Sequence, residues 1–344
     1  MLLPAIQVDF ASKVPLYKQL MRQFENAIHG GSLSAGEQIP SMNDLSAATG
    51  ISKETVKKTY GLLRDEGLIV PRQGKGFYVA DLSAAARPLV LVLFDRFSVY
   101  KQTLFNSFVE TLGGRAEISI LMHNQRLDLF ERCLDLSLDQ FDYYLVSPHF
   151  PLDAESQRKA VKLISRIPYP KLILLERLQP AFEGNFGAVY QDYENDIYKG
   201  LSQGLDRFGE TSALKVISVP TCLYAGLIRK GVIRFCREHG IPVEFLAGPP
   251  AAVSKGDTYL FLSCQLDVGL VDLVRRIRSQ GLEVGTDVRI ISLNEWDMNE
   301  LILGGLTTVS TDYRQMGRLA AEMILERHLS KIHCDFRMTP RSTF

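Results

Sequence analysis

The chain has 344 residues, 39 basic and 39 acidic side chains and no formal net charge, with 46% hydrophobic and 23% charged residues. These proportions belong to a soluble chain of two or three domains. Neutrality excludes a protein that coats nucleic acid with its whole surface, yet allows a basic face on one domain. The longest apolar runs, 89–94 and 259–262, fall far short of the roughly 20 residues needed to span a bilayer. The first ten residues lack a basic-then-apolar leader. Five scattered cysteines (Cys133, Cys222, Cys236, Cys264 and Cys334) lack metal-ligand spacing. The expectation is a cytoplasmic protein with free thiols, no membrane partner, and neither metal nor cofactor.

Pro15 opens a helical stretch in which Leu16, Leu20, Phe24 and Ala27/Ile28 recur every three or four residues, and Gly30-Gly31 ends it. Ser41, three residues before Asp44, reads as the cap of a short second helix that Gly50 stops. Ser52 caps a third helix to about Glu66, with Val56, Tyr60 and Leu63 inward. The turn between the last two helices is only 49–51, which makes the pair a helix-turn-helix. Lys53, Thr55, Lys57 and Lys58 fall in the first half of the third helix, where a recognition helix meets DNA. Lysines neutralise phosphates, and a hydroxyl bonds to phosphate or base edges; alone, such a helix is more often a solvated face. Residues 68–70 and 77–79 then read as a hairpin whose tip, Arg72-Gln73-Gly74-Lys75-Gly76, is glycine-rich and basic. From residue 52 to 78, six basic residues stand against three acidic ones, the local balance of a DNA-binding wing.

Pro15-Leu16-Tyr17, Gly36 with Pro40-Ser41, the run 50–56, Glu66-Gly67-Leu68-Ile69 and 72–77 together resemble the winged helix of the GntR family. The resemblance implies DNA contacts from Ser41, Asn43, Ser52, Lys53, Thr55, Lys57 and Lys58 and from wing residues Arg72, Gln73, Gly74, Lys75 and Gly76. It departs at Asn43, where the family usually has arginine: an amide there favours adenine over a bidentate guanine contact.

Residues 81–88 read as a linker. Beyond them, strands at 89–94, 118–122, 143–146, 171–175, 214–219, 259–262 and 288–292 alternate with helical stretches. These lie at 104–112, 127–136, 154–164, 192–208, 223–239, about 268–279 and 316–328. The alternation implies parallel sheets covered by helices on both faces, and about 250 residues implies two lobes. Ligands bind beyond the carboxyl ends of such strands. That rule nominates Asp95, Arg96 and Phe97; His123; Ser147 and His149; Glu176 and Arg177; 263–265; and Asn294, Glu295 and Trp296. Polar groups with aromatic faces suit a sugar.

Residues 172–177, 189–192, 231–242, 281–288 and 306–312, with Met316-Gly317 and Arg341-Ser342, resemble the effector domain of LacI-type repressors. That resemblance implies a periplasmic-binding-protein-like fold with a ligand in the cleft. The whole then reads as a multidomain α+β and α/β protein, a winged helix-turn-helix at 1–80 and a two-lobed effector domain at 89–344. Lobe 1 is expected at 89–180 and 312–330, and lobe 2 at 188–308 and 331–344. The implied effector residues are Arg96, Phe97, Tyr100, His123, His149, Arg177, Asp192, Arg229, Gln265, Asn294, Glu295 and Trp296. Three departures weaken the carry-over of a particular sugar. Ile228 stands where the family has arginine, with Arg229 next to it. Ser263-Cys264 replaces an Asn-Asp pair. Asn294 replaces a carboxylate, with Glu295 following.

The expected function is a non-enzymatic, homodimeric transcriptional regulator, a repressor of a double-stranded operator controlled by a monosaccharide. Two alternatives stay open: a regulator whose cleft has lost its ligand, and a DNA-binding module fused to a pyridoxal-phosphate enzyme. The second lacks a convincing Schiff-base lysine.

Overall fold

The computed structural model describes residues 6–12, 14–72, 75–80, 87–178, 182–218, 222–262 and 269–344, with backbone only for His29 and Glu210. The chain divides into two compact units between Arg87 and Pro88. Most of the expected linker (81–86), the wing-tip pair Gln73 and Gly74, and Gln265 lie outside the described residues.

In the first unit, α1 (Leu16–His29) buries Leu20, Phe24, Ala27 and Ile28 along one stripe. Ser41 caps α2 (Met42–Thr49), its Oγ accepting from the Asp44 amide at 3.1 Å. Gly50, left-handed at φ 72°, turns the chain, a conformation that costs other residues about 1–2 kcal/mol. Ser52 then caps α3 (Lys53–Asp65), its Oγ accepting from the Thr55 amide at 3.3 Å. A hairpin of β1 (Ile69–Arg72) and β2 (Gly76–Val79) closes the unit. Tyr60 ties the parts together. Its ring meets Phe24 and Phe77 edge-on, and its buried hydroxyl donates to the Pro40 carbonyl at 2.8 Å.

The second unit begins with β3 (Leu89–Phe94), α4 (Val99–Leu112), β4 (Glu117–Met122), α5 (Leu127–Ser137), β5 (Tyr143–Val146), α6 (Ala154–Ile164), β6 (Leu172–Glu176) and β7 (Gly187–Tyr190). After a first crossing come α7 (Tyr193–Ser202), β8 (Ala213–Ile217), α8 (Ala225–His239), β9 (Val243–Leu246), β10 (Asp257–Phe261), α9 (Leu270–Ser279), β11 (Arg289–Leu293) and β12 (Thr307–Thr311). The chain recrosses into α10 (Tyr313–Leu325) and β13 (Lys331–His333), then crosses once more to β14 (Phe336–Thr339). Two six-stranded sheets result, ordered β13-β7-β6-β5-β3-β4 and β14-β12-β11-β10-β8-β9, parallel except for β14 against β12.

Alternation along each strand sends side chains to two separate cores. In the first lobe, Val90, Val92 and Phe94 face α4 and α10, while Leu91 and Leu93 face α5 and α6. In the second, Leu214 and Val216 pack with α7 and α8, while Ile217, Tyr259 and Phe261 pack with α9. Among the described residues, no helix is long and apolar enough to cross a membrane.

This is the two-lobed arrangement that the resemblance implied, here joined by three crossings and with shifted boundaries. β7 belongs to the first sheet through its pairing with β6, and β13 joins the same sheet beside β7. Both were expected in lobe 2. Strands of three or four residues carry too few alternations to show a period, and the same brevity hid β9 and β14. The helix expected from Leu104 starts a turn earlier, at Val99.

Candidate ligand cleft and nucleic-acid interface

The carboxyl ends of both parallel sheets open on one cavity of about 470 Å³. The turn from β3 into α4 contributes Asp95, Arg96, Phe97 and Tyr100; β4, β5 and β6 contribute Gln125, His149 and Glu176. From the other side come Leu223, Tyr224 and Ile228 around the start of α8, with Leu293 and Asn294 at the end of β11. Gln191, Tyr193, Tyr313 and Phe336, on or beside the crossings, complete the wall.

Charge is concentrated on the first lobe and is buried. Lys101, wholly buried on α4, bonds its Nζ to Asp95 Oδ1 and lies 2.9 Å from Glu176 Oε2. Gln125 Nε2 donates to Asp95 Oδ2 at 3.0 Å. Burial alone would raise the Glu176 carboxyl, but the Lys101 ammonium, with His149, holds it below the ordinary range. His149 stands between the two carboxylates, Nδ1 3.6 Å from Asp95 Oδ2 and Nε2 3.5 Å from Glu176 Oε2. Burial pushes its pKa down to about 3, against the pull of Glu176. Asp95, His149 and Glu176 thus bring ligand atoms within 4.8 Å of one another, donor types that suit a divalent cation. Here the Lys101 ammonium lies between the carboxylates and supplies their counter-charge.

Glu176 and Asn294 occupy matching places, the last residue of β6 and the first beyond β11. Both hold left-handed backbones, at φ 67° and 74°, a conformation uncommon outside glycine that concentrates at ligand sites.

Five of the expected effector residues line the cavity: Arg96, Phe97, Tyr100, His149 and Asn294. Six do not. His123 is a core residue, its Nε2 3.1 Å from the Ser147 carbonyl and its ring against Phe130 and Phe150; burial lowers its pKa to about 4. Arg177 bonds Gln157 at 3.0 Å and lies over the Tyr224 ring. Asp192 caps α7, accepting from the Asn195 amide at 3.2 Å. Arg229 stacks on Phe245, 3.9 Å from the ring centroid. Glu295 receives two bonds from Arg341, at 2.8 and 3.0 Å, and another from Thr308. Trp296 is half-buried ahead of a 3-10 turn at Asp297–Glu300.

Sequence reasoning missed Lys101, Tyr193, Tyr224 and Gln191 as parts of the site. The strand-end rule could have placed Tyr224, which follows β8. Nothing in the sequence pairs Lys101 with a carboxylate as distant as Glu176.

On the first unit, Asn43, Lys53, Lys57 and Lys58 are exposed along α2 and α3, and Arg72, Lys75 and Gly76 are exposed on the hairpin. Ser41, Ser52 and Thr55 are engaged in the helix caps. Lys58 lies 3.9 Å over the Tyr17 ring and Arg72 4.4 Å over Tyr78, so Asn43, Lys53, Lys57 and Lys75 are the side chains not committed to an aromatic ring or a helix cap.

Residues 16–79 match the family of bacterial regulatory proteins called gntR, and residues 202–335 match a periplasmic binding protein-like domain. The transcriptional repressor YtrA of Bacillus subtilis (strain 168) is 32% identical over 76 residues, 22% of this chain. The chain spans 58% of that relative's length. The trehalose repressor of Escherichia coli is 13% identical, with a TM-score of 0.58 over 74% of this chain and 100% of its own. A LacI-type regulator from Alkaliphilus metalliredigens, solved with D-xylulofuranose, is also 13% identical, with a TM-score of 0.55 over 74% of this chain and 98% of its own. At such identities the likeness to solved structures is one of fold.

Proposed function

We propose that this chain, whose residues 16–79 match the gntR family and 202–335 a periplasmic binding protein-like domain, is a DNA-binding transcription regulator whose operator affinity is set by a small molecule. The observation that carries the reading is the 470 Å³ cavity walled by both lobes, a volume within the usual range for small ligands, on a chain that also bears an exposed, lysine-rich recognition helix.

In this reading Lys53 and Lys57 meet phosphates, Asn43 reads a base edge, and Arg72 and Lys75 hold the wing to the backbone. Two copies on a two-fold operator give the affinity a repressor needs. Ligand that favours one lobe arrangement shifts the population competent for DNA, with coupling of about 1–3 kcal/mol. A monosaccharide is the ligand class that the resemblance implied, and the trehalose repressor shares the fold. Its hydroxyls, however, require partners on both walls, and the described residues of the second-lobe wall are mainly apolar and aromatic.

The test is selection of genomic fragments by the purified full-length protein, followed by titration of the recovered site with and without cleft ligands. A defined palindromic site, bound at least a thousandfold more tightly than bulk DNA and shifted about 5- to 150-fold by a ligand, is expected. Uniform binding to all sequences would sink the regulator reading.

A further inference from the structure

The two walls of the cleft differ in kind. Among the described residues, Leu223, Ile228, Leu293 and Phe336 lie toward the second lobe; the polar groups beside them include the buried Tyr224 hydroxyl and Asn294, whose Oδ1 accepts from the Tyr313 hydroxyl at 3.3 Å. A pyranose carries hydroxyls around its whole rim. Hydroxyls turned to Leu223, Ile228, Leu293 and Phe336 would lose water without gaining partners from those side chains, which is costly for each one. An apolar or aromatic body loses nothing there. Rings also surround the space: Tyr193 stacks on Tyr224 with centroids 4.1 Å apart, and Tyr100 lies against Tyr313 at 4.7 Å.

The buried part of the first-lobe wall sets two carboxylates against one lysine. Asp95 and Glu176 are both buried, and the one buried cation beside them is Lys101. Burial pushes His149 toward its neutral form. Arg96 is half exposed and approaches Asp95 only to 3.9 Å, while the Arg177 guanidinium, bonded to the neutral Gln157 and lying over the Tyr224 ring, forms no ion pair with either carboxylate among the described residues. Glu176 Oε1 is buried and meets no donor at hydrogen-bonding geometry among the described residues, with the Ser147 hydroxyl the neutral group near the carboxylate, and Glu176 lines the cavity and holds a left-handed backbone. A carboxylate oxygen so placed asks for a charged donor, and aromatic faces around it favour a cation as well.

We infer that the cleft takes an organic amine, with its ammonium head on Glu176 and an apolar or aromatic body against the Leu223–Ile228–Leu293 wall. This rests on the reading of the cleft as the regulator's ligand site and narrows its chemistry. Ile228 selects for the body and Glu176 for the head.

The experiment is thermal melting and calorimetric titration of the full-length protein with five probes: phenethylamine, its neutral counterpart 2-phenylethanol, D-glucose, D-xylose and manganese chloride. Phenethylamine should raise Tm and bind about tenfold or more tightly than 2-phenylethanol, the margin of one charge-assisted hydrogen bond. Glu176→Gln should bring that ratio close to one. If that variant unfolds, Ile228→Arg leaves the first-lobe cluster intact and should weaken phenethylamine about tenfold by placing a guanidinium on the apolar wall. Stabilisation by either sugar and not by the amine overturns the inference. So does stabilisation by manganese alone, equal binding of amine and alcohol, or no response to any probe. Operator binding by the same preparations separates the two levels: a cleft indifferent to amines in a protein that still selects its site leaves the regulator reading standing.

Discussion

The two lobes repeat one strand order, yet they present opposite chemistry to the cavity between them. β6 ends in Glu176, ion-paired with a buried lysine, and β11 gives way to Asn294 beside Leu293. Each lobe also carries a helix pair brought close by a glycine. A Cβ on Gly317 of α10 would lie 2.1 Å from the Leu104 carbonyl of α4, and one on Gly231 of α8 would lie 2.1 Å from the Glu194 carbonyl of α7. The architecture is duplicated, while the residues at the strand tips are not. The fold fixes where the cavity lies, and a handful of tip residues decide the chemistry of its walls.

The largest expected effect tests the charged side of that contrast. Lys101→Met leaves two buried carboxylates without their cation, a loss of about 3–5 kcal/mol and roughly 10 °C in Tm. The second lobe has its own pair, Lys215 with Asp257 at 2.7 Å. There Asp257 keeps bonds from the Ser254 amide and the Tyr259 hydroxyl, so Lys215→Met should cost only about 1–2 kcal/mol. Equal losses in denaturant titrations would erase the asymmetry.

The next effect is one of pH. His123 belongs to the first lobe, and its folded pKa of about 4 lies below the unfolded value of 6.5. The unfolded chain therefore binds the extra proton between those values, and stability falls as pH drops from about 6.5 toward 4, by about 3 kcal/mol in all. His149, depressed in the same direction, adds to the fall. Melting curves of the wild type and His123→Phe across this window check it; a slope unchanged by the substitution would remove His123 as a source.

The helix pairs offer a smaller and symmetrical test. Gly317→Ala and Gly231→Ala should each cost about 1–3 kcal/mol through overpacking against backbone, and the double variant should show the sum because the sites share no partners. A cost at only one would show that the other lobe can open its helix pair. Smallest for stability is Lys57→Ala on the first unit, which should leave Tm unchanged. Operator binding should weaken for all sequences, and the salt dependence should lose about one unit of slope. An unchanged slope would take Lys57 out of the phosphate contacts.

The outline of both units could be read along the chain because its signals are local. Ser41 and Ser52 mark helix starts, and Gly50 marks the turn between two helices. The apolar runs at β3 and β6 announce buried parallel strands. The strand-end rule placed Arg96, Phe97, His149 and Asn294 on the cavity. The same rule overreached at His123, Arg177, Glu295 and Trp296, because proximity to a strand end does not say which way a side chain turns. Glu295 turns to Arg341 and His123 to Phe130 and Phe150, and each of those partners comes from elsewhere in the chain.

Sequence alone therefore settled the longer helices and strands, the order of the two units and the strand ends as the place to look. Tertiary structure decided the rest: that Lys101 is a buried counter-ion rather than a solvated helix charge, that β7 and β13 join the first sheet, and that the walls of the cleft differ in polarity. The reason is physical. Capping, periodicity and turn chemistry act over a few residues, whereas burial, ion pairing and wall composition arise only when distant segments meet, and no local pattern records those meetings.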